Sequence, residues 1–331
     1  MKVLVTGADG FIGSHLTEAL VHNGHDVRAL SQYNSINSNG WLDSLPDDVL
    51  EEVDIVPGDV RDRSQMMTII RGRDVVLHLA ALIAIPYSYQ APQSYIDTNI
   101  TGTLNVLEAV RLDGNAQLIH TSTSEVYGSA LFVPITEDHP LRGQSPYSAS
   151  KIAADQLVYA YYSSFGLPAT TIRPFNTYGP RQSQRAVIPA IISQLISGVK
   201  TIELGALTPT RDFNFIDDTV QGYIKALSAD NIFGTTINLG SGFEISIGET
   251  AELITKIMNY DVEVVSSEVR MRPKDSEVDR LLAANERAKD LLDWTPEFGG
   301  LQGFRRGLEA TISWFSNPEN MKRYAPTKYI V

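Results

Sequence analysis

Two short stretches of this chain combine hydroxyl, carboxylate and amine side chains at spacings that suit acid–base chemistry. The first is Thr121-Ser-Thr-Ser-Glu-Val-Tyr-Gly128, and the second is Tyr147-Ser-Ala-Ser-Lys151. On a helix, Tyr147 and Lys151 would share one face because they are four residues apart. An ammonium group near a phenol favours the phenolate, so the pair predicts a tyrosine that exchanges protons near neutral pH instead of near its free pKa of about 10. An ordinary surface pair has the same short pattern, so the surrounding elements decide the interpretation.

The elements that must position these stretches are predicted from local sequence. Residues 117–120 read as a short buried strand that ends at the first stretch. Ser145-Pro146 has the residue types of a helix N-cap and first helical position, which predicts a helix over 147–165. At the start of the chain, an apolar strand over residues 2–6 leads into Gly7-Ala-Asp-Gly10-Phe-Ile-Gly13 and a helix to about residue 23. Glycines at these places let a pyrophosphate approach the helix N-terminus, so this segment favours cofactor binding and catalysis.

Strands and helices alternate regularly as far as residue 176. The predicted strands cover 26–30, 53–56, 74–79 and 168–175, besides the two above, and a helix over 94–111 has Ile96, Ile100, Leu104 and Leu107 as one buried stripe. This pattern predicts an α/β fold, a Rossmann doubly wound parallel sheet, with a smaller, mixed α/β lobe towards the C-terminus. We assign residues 1–176 and about 211–230 to the dinucleotide-binding domain, 177–210 and 231–315 to a substrate-binding lobe that ends in a helix over 301–315, and 316–331 to a C-terminal tail.

The residues that would meet a dinucleotide leave its identity open. Many NAD-binding domains have an acidic residue after the second strand for the adenosine ribose, but here the position is Ser31, which leaves the choice between NAD and NADP open. NAD is the expected cofactor, and NADP remains possible. Asp59 follows a strand end, where its carboxylate would either accept from an adenine amino group or cap the next helix. The loop over 34–46, with Trp41, is expected near the cofactor or substrate edge. The uncharged loop over 82–90 lies at the same edge of the sheet.

Composition excludes several classes of protein. The chain has 331 residues and a net charge of −12, which argues against a nucleic-acid partner. It has no cysteine, so disulfides, thiolate metal sites and cysteine nucleophiles are excluded, and no metal site is expected. The N-terminus lacks the pattern of a signal peptide, and no apolar run approaches a membrane span, which needs about eighteen residues. The sequence predicts a soluble, cytoplasmic protein with no membrane partner.

Seven motifs in order resemble the extended short-chain dehydrogenases/reductases of the nucleotide-sugar epimerase/dehydratase type. They are GADGFIG (7–13), GDVRD (58–62), HLAA (78–81), TSTSEVYG (121–128), YSASK (147–151), RPFNTYGPR (173–181) and RDFNFIDD (211–218). The likeness covers about residues 1–315. It implies a tightly held nicotinamide cofactor, a nucleotide-diphosphate sugar as substrate, and a homodimer formed by the helices predicted over 94–111 and 147–165.

The resemblance also implies roles for individual residues. Tyr147 would be the catalytic base, Lys151 would hold the nicotinamide ribose and lower the pKa of Tyr147, and Thr123 would bind the hydroxyl that is oxidised. Cofactor contacts would come from Gly7, Gly10, Phe11, Ile12, Gly13, Ser31, Asp59, Val60, Leu79, Ala80, Ala81 and Asn99. Asn176 would contact the sugar diphosphate. Scattered arginines are natural phosphate ligands, and the substrate-binding candidates among them are Arg181, Arg211 and Arg272.

The reaction depends on Ser124 and Glu125. Every candidate reaction starts with oxidation at carbon 4 of the sugar, but a 4,6-dehydratase also needs a carboxylate that removes the proton at carbon 5, and Glu125 lies two residues after Thr123. The Thr-Ser-Glu triplet resembles GDP-mannose 4,6-dehydratases more than the Thr-Asp-Glu of dTDP-glucose dehydratases. UDP-glucuronate decarboxylases share it, and 4-epimerases remain a further alternative. Five segments are most similar to the 4,6-dehydratases of legionaminic acid biosynthesis: VRALSQYNS, AALIAIPYSY, TSTSEVYG, RPFNTYGPRQ and SEVDRLLA. Those enzymes act on GDP-linked N-acetylglucosamine, so the resemblance implies GDP- or UDP-N-acetylglucosamine as the substrate.

Overall fold

Short apolar runs form the strands of a parallel sheet in the computed structural model, which describes residues 1–324. The strands are β1 (Lys2–Thr6), β2 (Asp26–Gln32), β3 (Val53–Gly58), β4 (Val75–His78), β5 (Gln117–Thr121), β6 (Ala169–Pro174), β7 (Asn176–Tyr178), β8 (Thr201–Leu204), β9 (Thr210–Phe215), β10 (Thr236–Leu239), β11 (Glu244–Ser246) and β12 (Glu263–Ser266). Seven of them form one sheet in the order β10-β6-β5-β4-β1-β2-β3. All of its neighbouring strands run parallel, which confirms the doubly wound sheet.

Helices cover both faces of this sheet. The α-helices of residues 1–324, including those of the smaller lobe, are α1 (Phe11–His22), α2 (Asp47–Leu50), α3 (Arg63–Ile70), α4 (Ile85–Gln90), α5 (Pro92–Tyr95), α6 (Gly102–Asp113), α7 (Pro146–Phe165), α8 (Val187–Ile196), α9 (Ile216–Leu227), α10 (Ile247–Met258), α11 (Glu286–Leu292), α12 (Gly300–Phe315) and α13 (Pro318–Met321). Side chains alternate along a strand, so Val3 and Val5 enter one apolar core and Leu4 enters the other. In the part of the chain that the structure describes, no helix is long and apolar enough to cross a bilayer.

The segment predicted as one helix over 94–111 has a break. It consists of the end of α5, a π-helical turn over Ile96–Thr101, and most of α6. A π turn holds more residues than an α turn, so it shifts the faces of the helix relative to a regular period. As a result Ile96, predicted in the buried stripe, is 46% exposed, whereas the polar Asn99 is buried. The loop predicted over 82–90 is also partly helical, because α4 begins at Ile85 with Pro86 in its first turn.

The smaller lobe contains two short sheets, ordered β11-β9-β7 and β12-β8. The assignment of residues 231–315 to this lobe differs from the structure at β10, which pairs with β6 and is the outer strand of the central sheet. β10 is short and apolar, and the sequence contains no signal for its distant partner. The predicted tail over 316–331 includes α13, and its residues 325–331 lie outside the described part of the chain.

The start of α7 agrees with the prediction from Ser145 and Pro146. The Ser145 side chain accepts a hydrogen bond from the Ser148 backbone N–H (3.1 Å), and the Ser148 hydroxyl accepts one from the Ser145 backbone N–H (3.0 Å). Pro146 occupies the first turn, where its missing N–H costs nothing. This reciprocal cap fixes where α7 begins, and therefore where Tyr147 is placed.

Substitution of Ser145 by alanine removes this cap and should lower the free energy of unfolding by about 1 kcal/mol, the usual cost of losing an N-cap side chain. Urea denaturation measures the change. Ser163→Ala, at an exposed position near the other end of α7, is the matched control and should change the free energy by less than about 0.5 kcal/mol. Equal effects of the two substitutions would contradict a capping role for Ser145.

Candidate active site

Tyr147 lies in the first turn of α7, against the segment that follows β4. Its side chain is 6% exposed and packs with Ile85 and Tyr95, whose ring centroid is 6.3 Å from that of Tyr147. Burial raises the pKa of the Tyr147 phenol above its ordinary value, the Thr123 hydroxyl lowers it, and the negative charge of Glu125 raises it further. In the protein alone, the shift is therefore opposite to the expected lowering by Lys151.

Lys151 lies one turn further along α7 and is almost completely buried. Its ammonium group donates a hydrogen bond to the carbonyl oxygen of Thr121, the last residue of β5, at 2.7 Å. Burial lowers the pKa of Lys151 to about 8, against the opposing effect of the Asp155 carboxylate. Lys151 thus joins α7 to the end of β5.

Thr123, Ser124 and Glu125 form a tight turn directly after β5. A short 3₁₀ helix covers Ser124–Tyr127, and Thr123 caps it by accepting a hydrogen bond from the Glu125 backbone N–H at 3.2 Å. Ser124 and Glu125 are 2% and 8% exposed. The negative charge of Glu125 raises the pKa of Tyr147, and it also raises that of Arg211 against the larger lowering by burial. The Glu125 carboxylate therefore lies close enough to act on both the phenol and the guanidinium.

The glycine turn between β1 and α1 has the shape that a pyrophosphate needs. Gly7 has a φ of +69°, and a side chain there would place its Cβ 2.8 Å from the Ala80 backbone nitrogen. At Gly13 a Cβ would be 2.1 Å from the Gly7 carbonyl oxygen, so only glycine lets α1 pack this closely on the turn. The N-cap of α1 is Gly10, which has no side chain to occupy the helix N-terminus. The backbone N–H groups of the first turn, which includes Phe11, Ile12 and Gly13, have no acceptor within the helix.

The edges of the predicted cofactor site come from three further segments. After β4, the backbone N–H groups of Leu79 and Ala80 donate to the Thr6 hydroxyl, each at 3.1 Å, and Ala81 follows. The loop predicted near the cofactor contacts the glycine turn, since the Trp41 backbone N–H donates to the Asp9 carbonyl oxygen at 2.9 Å. After β3 come Asp59 and Val60, and the Val60 carbonyl oxygen accepts a hydrogen bond from Asn105 of α6 at 3.0 Å.

Two of the predicted cofactor residues have different surroundings from those expected. β2 extends to Gln32, and Ser31 is buried within it at 1% exposure. The exposed polar side chain at this strand end is that of the next residue, Gln32. The Asp59 carboxylate accepts two 2.9 Å hydrogen bonds from Arg61 Nε, which lowers its pKa. Arg61 would thus compete with an adenine amino group for this carboxylate.

Asn99 connects the π-helical turn to both sides of the site. Its side chain accepts from the Leu82 backbone N–H at 2.8 Å, and it donates to the Leu82 carbonyl oxygen and to Ser150 Oγ, both at 2.9 Å. Asn99 is 1% exposed, and its amide is fully used in these contacts. It therefore fixes the segment after β4 against α7, which explains why a polar residue is buried in this turn.

Of the four predicted substrate-binding residues, two form a pair and the other two lie outside that pair. Arg211 and Arg272 both lie beside the Glu277 carboxylate, with Nη–Oε1 distances of 3.1 and 3.5 Å. Asn176 begins β7, and its Oδ1 atom is buried without a hydrogen-bond partner in the protein. Arg181 is instead directed towards α1, where it pairs with Glu18 at 2.8 Å. The structure does not bring Arg181 to the Arg211–Arg272 pair.

Sequence reasoning missed the residues that join the lobe to α7. The Ser276 hydroxyl donates to the Gln144 carbonyl oxygen at 2.6 Å, and the Tyr89 hydroxyl lies 2.6 Å from Ser276 Oγ. Gln144 also donates from Nε2 to the Glu277 carbonyl oxygen at 3.0 Å. These residues are far apart in sequence and belong to no short motif, so only the fold brings them together.

Proteins with three different reactions are similar to this chain over nearly its full length. The UDP-glucose 4-epimerase of Mycolicibacterium smegmatis is 33% identical over 96% of this chain and 99% of its own. The UDP-N-acetyl-alpha-D-glucosaminuronate decarboxylase of Bacillus cytotoxicus is 31% identical, over 96% and 99%. A double mutant of the dTDP-glucose 4,6-dehydratase from Streptomyces venezuelae, solved with NAD bound, superimposes with a TM-score of 0.87 at 28% identity and covers 99% of this chain and 100% of that chain.

A family model gives the broader assignment. The model for GDP-mannose 4,6 dehydratase matches residues 4–306, which include the glycine turn, the stretch after β5, the start of α7 and the Arg211–Arg272 pair. This match spans both the central sheet and the smaller lobe. The chain belongs to the GDP-mannose 4,6 dehydratase family.

Proposed function

We propose that this protein is an NAD-dependent nucleotide-sugar 4,6-dehydratase, a lyase that converts a nucleotide-linked hexose to its 4-keto-6-deoxy form. One observation carries the proposal: Glu125 is a buried carboxylate within electrostatic reach of both Tyr147 and Arg211. A carboxylate beside the reacting sugar is the group that elimination needs and that a simple epimerisation does not.

The proposal that the cofactor is NAD rests on the glycine turn and on the similar proteins described above. Gly7, Gly10 and Gly13 leave room for a pyrophosphate at the N-terminus of α1, and the dehydratase from Streptomyces venezuelae was solved with NAD. NAD supplies a hydride acceptor for carbon 4 of the sugar, and its positive nicotinamide ring favours the ionised form of a nearby phenol. Lys151 would hold the nicotinamide ribose, and Asn99 keeps the neighbouring backbone in place.

The protein side chains divide the proton transfers between them. Tyr147 removes the proton from the sugar 4-hydroxyl, and Thr123 holds that hydroxyl by a hydrogen bond. In the resulting 4-keto sugar the proton at carbon 5 is acidic, and Glu125 removes it. The 6-hydroxyl then leaves as water with the proton that Glu125 has accepted, as a carbon–carbon double bond forms between carbons 5 and 6. Carbon 6 would then receive the hydride that carbon 4 gave up, and carbon 5 would take a proton back from Tyr147, so the product is the 4-keto-6-deoxy sugar and the cofactor is oxidised again. Ser124 completes the same buried turn.

The proposed class of substrate is inferred from residues of the smaller lobe, including one in β7. Arg211 and Arg272 offer two guanidinium groups to a diphosphate, which is the geometry that arginine recognises best. Asn176 has a free buried oxygen that can accept from the ligand. From the resemblance in sequence, we propose GDP- or UDP-N-acetylglucosamine as the substrate.

Two other reactions are supported by specific relatives. The UDP-glucose 4-epimerase and the UDP-N-acetyl-alpha-D-glucosaminuronate decarboxylase are 33% and 31% identical to this chain. Decarboxylation also needs a cation for the sugar carboxylate, and Arg211 near Glu125 is one candidate. Incubation of the purified protein with UDP-, GDP-, CDP- and dTDP-sugars separates the three reactions by product mass. Loss of water supports the proposal, whereas loss of carbon dioxide or an unchanged mass supports an alternative.

Glu125→Gln should separate oxidation from elimination. The amide is nearly isosteric but cannot accept the proton from carbon 5, so water loss should fall by about a hundredfold to ten-thousandfold. Oxidation at carbon 4 should persist, which near-ultraviolet absorbance of the reduced cofactor detects. Tyr147→Phe is the comparison, because it blocks the first step and should abolish both signals. Water loss at a near wild-type rate in Glu125→Gln would rule out Glu125 as the base.

We also propose that the protein is a homodimer formed through α6 and α7. The Tyr161 hydroxyl donates to Glu108 at 2.8 Å and joins these helices. Four large apolar side chains on or beside them are exposed: Ile96 (46%), Leu112 (49%), Tyr159 (58%) and Phe165 (58%). An apolar surface of this kind suits an isologous interface, the commonest form of assembly.

Light scattering at micromolar concentration should give the mass of two chains. Tyr159→Glu should shift the protein towards the monomer, because a charge would be buried in the proposed interface. Tyr260→Glu introduces the same charge at a residue that is 41% exposed after α10, and it should leave the mass unchanged. A monomeric wild-type protein, or a dimeric Tyr159→Glu variant, would contradict the interface.

A further inference from the structure

The proposed diphosphate subsite already contains an anion of the protein itself. Glu277 Oε1 lies 3.1 Å from Arg211 Nη2, with which it forms a hydrogen bond, and 3.5 Å from Arg272 Nη1. Arg211 is also bound through its Nη1 atom to the Thr210 carbonyl oxygen at 2.9 Å. A single carboxylate oxygen is therefore shared between two guanidinium groups.

The Glu277 carboxylate accepts only some of the hydrogen bonds that Arg211 and Arg272 can donate. Arg272 Nη1 is buried and has no hydrogen-bond partner in the described protein, because its contact with Glu277 is too loose to be one. A buried donor without an acceptor costs free energy. A diphosphate has several terminal oxygens and can accept from both arginines at once, so it would use the donor that Glu277 leaves free.

The charges around the arginines also oppose a bound anion. Glu125 and Glu277 both act on Arg211 and raise its pKa, against the larger lowering by burial. With both carboxylates ionised, they cancel the charges of Arg211 and Arg272. A diphosphate placed beside this neutral cluster would gain attraction from the arginines but would be repelled by Glu277, so movement of Glu277 away from them favours binding.

Only the side chain of Glu277 has to move. Its carbonyl oxygen accepts from Gln144, and the preceding Ser276 is bound to Gln144 as well. These contacts fix the backbone against the start of α7. The Glu277 side chain is 19% exposed, which gives its carboxylate a route towards solvent by rotation about its own bonds.

We infer that the Glu277 carboxylate occupies the place of a substrate phosphate in the free protein and is displaced when a nucleoside diphosphate binds. This inference rests on the proposed nucleotide-sugar function. A ligand must replace the hydrogen bond that Glu277 makes to Arg211 and its looser ion pair with Arg272 before it gains affinity. A diphosphate can do so and a monophosphate does so poorly, so Glu277 sets the selectivity of the subsite for diphosphates.

The test compares nucleotide binding by the full chain and by Glu277→Gln, using calorimetric titration with UDP, UMP, GDP and GMP. For the nucleotide that the wild type prefers, the diphosphate should bind the variant at least about fivefold more tightly. The monophosphate should gain more, so that the ratio of the two affinities falls. Glu309→Gln, which removes an exposed carboxylate paired with Arg305 on α12, should leave both affinities unchanged.

A Glu277→Asp variant keeps the charge but shortens its reach, so it should bind diphosphate with an affinity between those of the wild type and Glu277→Gln. Weaker or unchanged diphosphate binding by the glutamine variant, or by the aspartate variant if the first does not fold, would overturn the inference and show that Glu277 orients the arginines for the ligand. Failure of the wild-type protein to bind either diphosphate would instead contradict the proposed function itself, and the inference with it.

Discussion

The hydrogen bond from the Lys151 ammonium to the Thr121 carbonyl oxygen holds the site together. It joins α7, which contains Tyr147, to the end of β5, after which Thr123 and Glu125 follow. A buried ammonium is costly unless other groups compensate for its lost hydration. The next turn of α7 provides such a group in Asp155, whose charge opposes the loss of the proton from Lys151.

Asp155 is in turn held by a second layer of buried polar groups. Its Oδ2 atom accepts from Ser122 Oγ at 2.7 Å and from Arg173 Nη2 at 2.9 Å. Arg173 lies in β6, and it also donates to the Tyr127 hydroxyl at 2.9 Å. The ends of β5 and β6 are therefore linked to α7 beneath Lys151. The position of α7 therefore depends on ion pairs inside the fold, where solvent cannot replace them.

Features that depend on residues close together in the sequence were predicted correctly. The cap at Ser145 and the start of α7 were predicted because capping depends on residues a few positions apart. The same holds for β1 and for the glycine turn. Six of the seven strands of the parallel sheet followed from the alternation of such elements, whereas β10 was assigned to the smaller lobe.

Features that depend on distant partners were predicted poorly. The π-helical turn at Asn99 arises from bonds to Leu82 and Ser150, and neither partner can be inferred from the period of the helix. The pKa of Tyr147 depends on how deeply the fold buries the phenol, which a spacing of four residues from Lys151 does not reveal. Arg181 was grouped with the other arginines by motif alone, whereas the fold directs it to Glu18.

The distribution of charge explains how an acidic protein can bind an anionic substrate. The net charge of −12 repels anions at long range, but salt screens this repulsion beyond about 8 Å under physiological conditions. At the site, Lys151 and Arg211 are 4% and 5% exposed, so their charges are screened much less than those on the surface. Affinity for a sugar diphosphate then depends on the few groups that contact it. In this fold each buried cation has a nearby carboxylate, and the reactivity of the site depends on which of these carboxylates can be displaced by the ligand or can accept a proton from it.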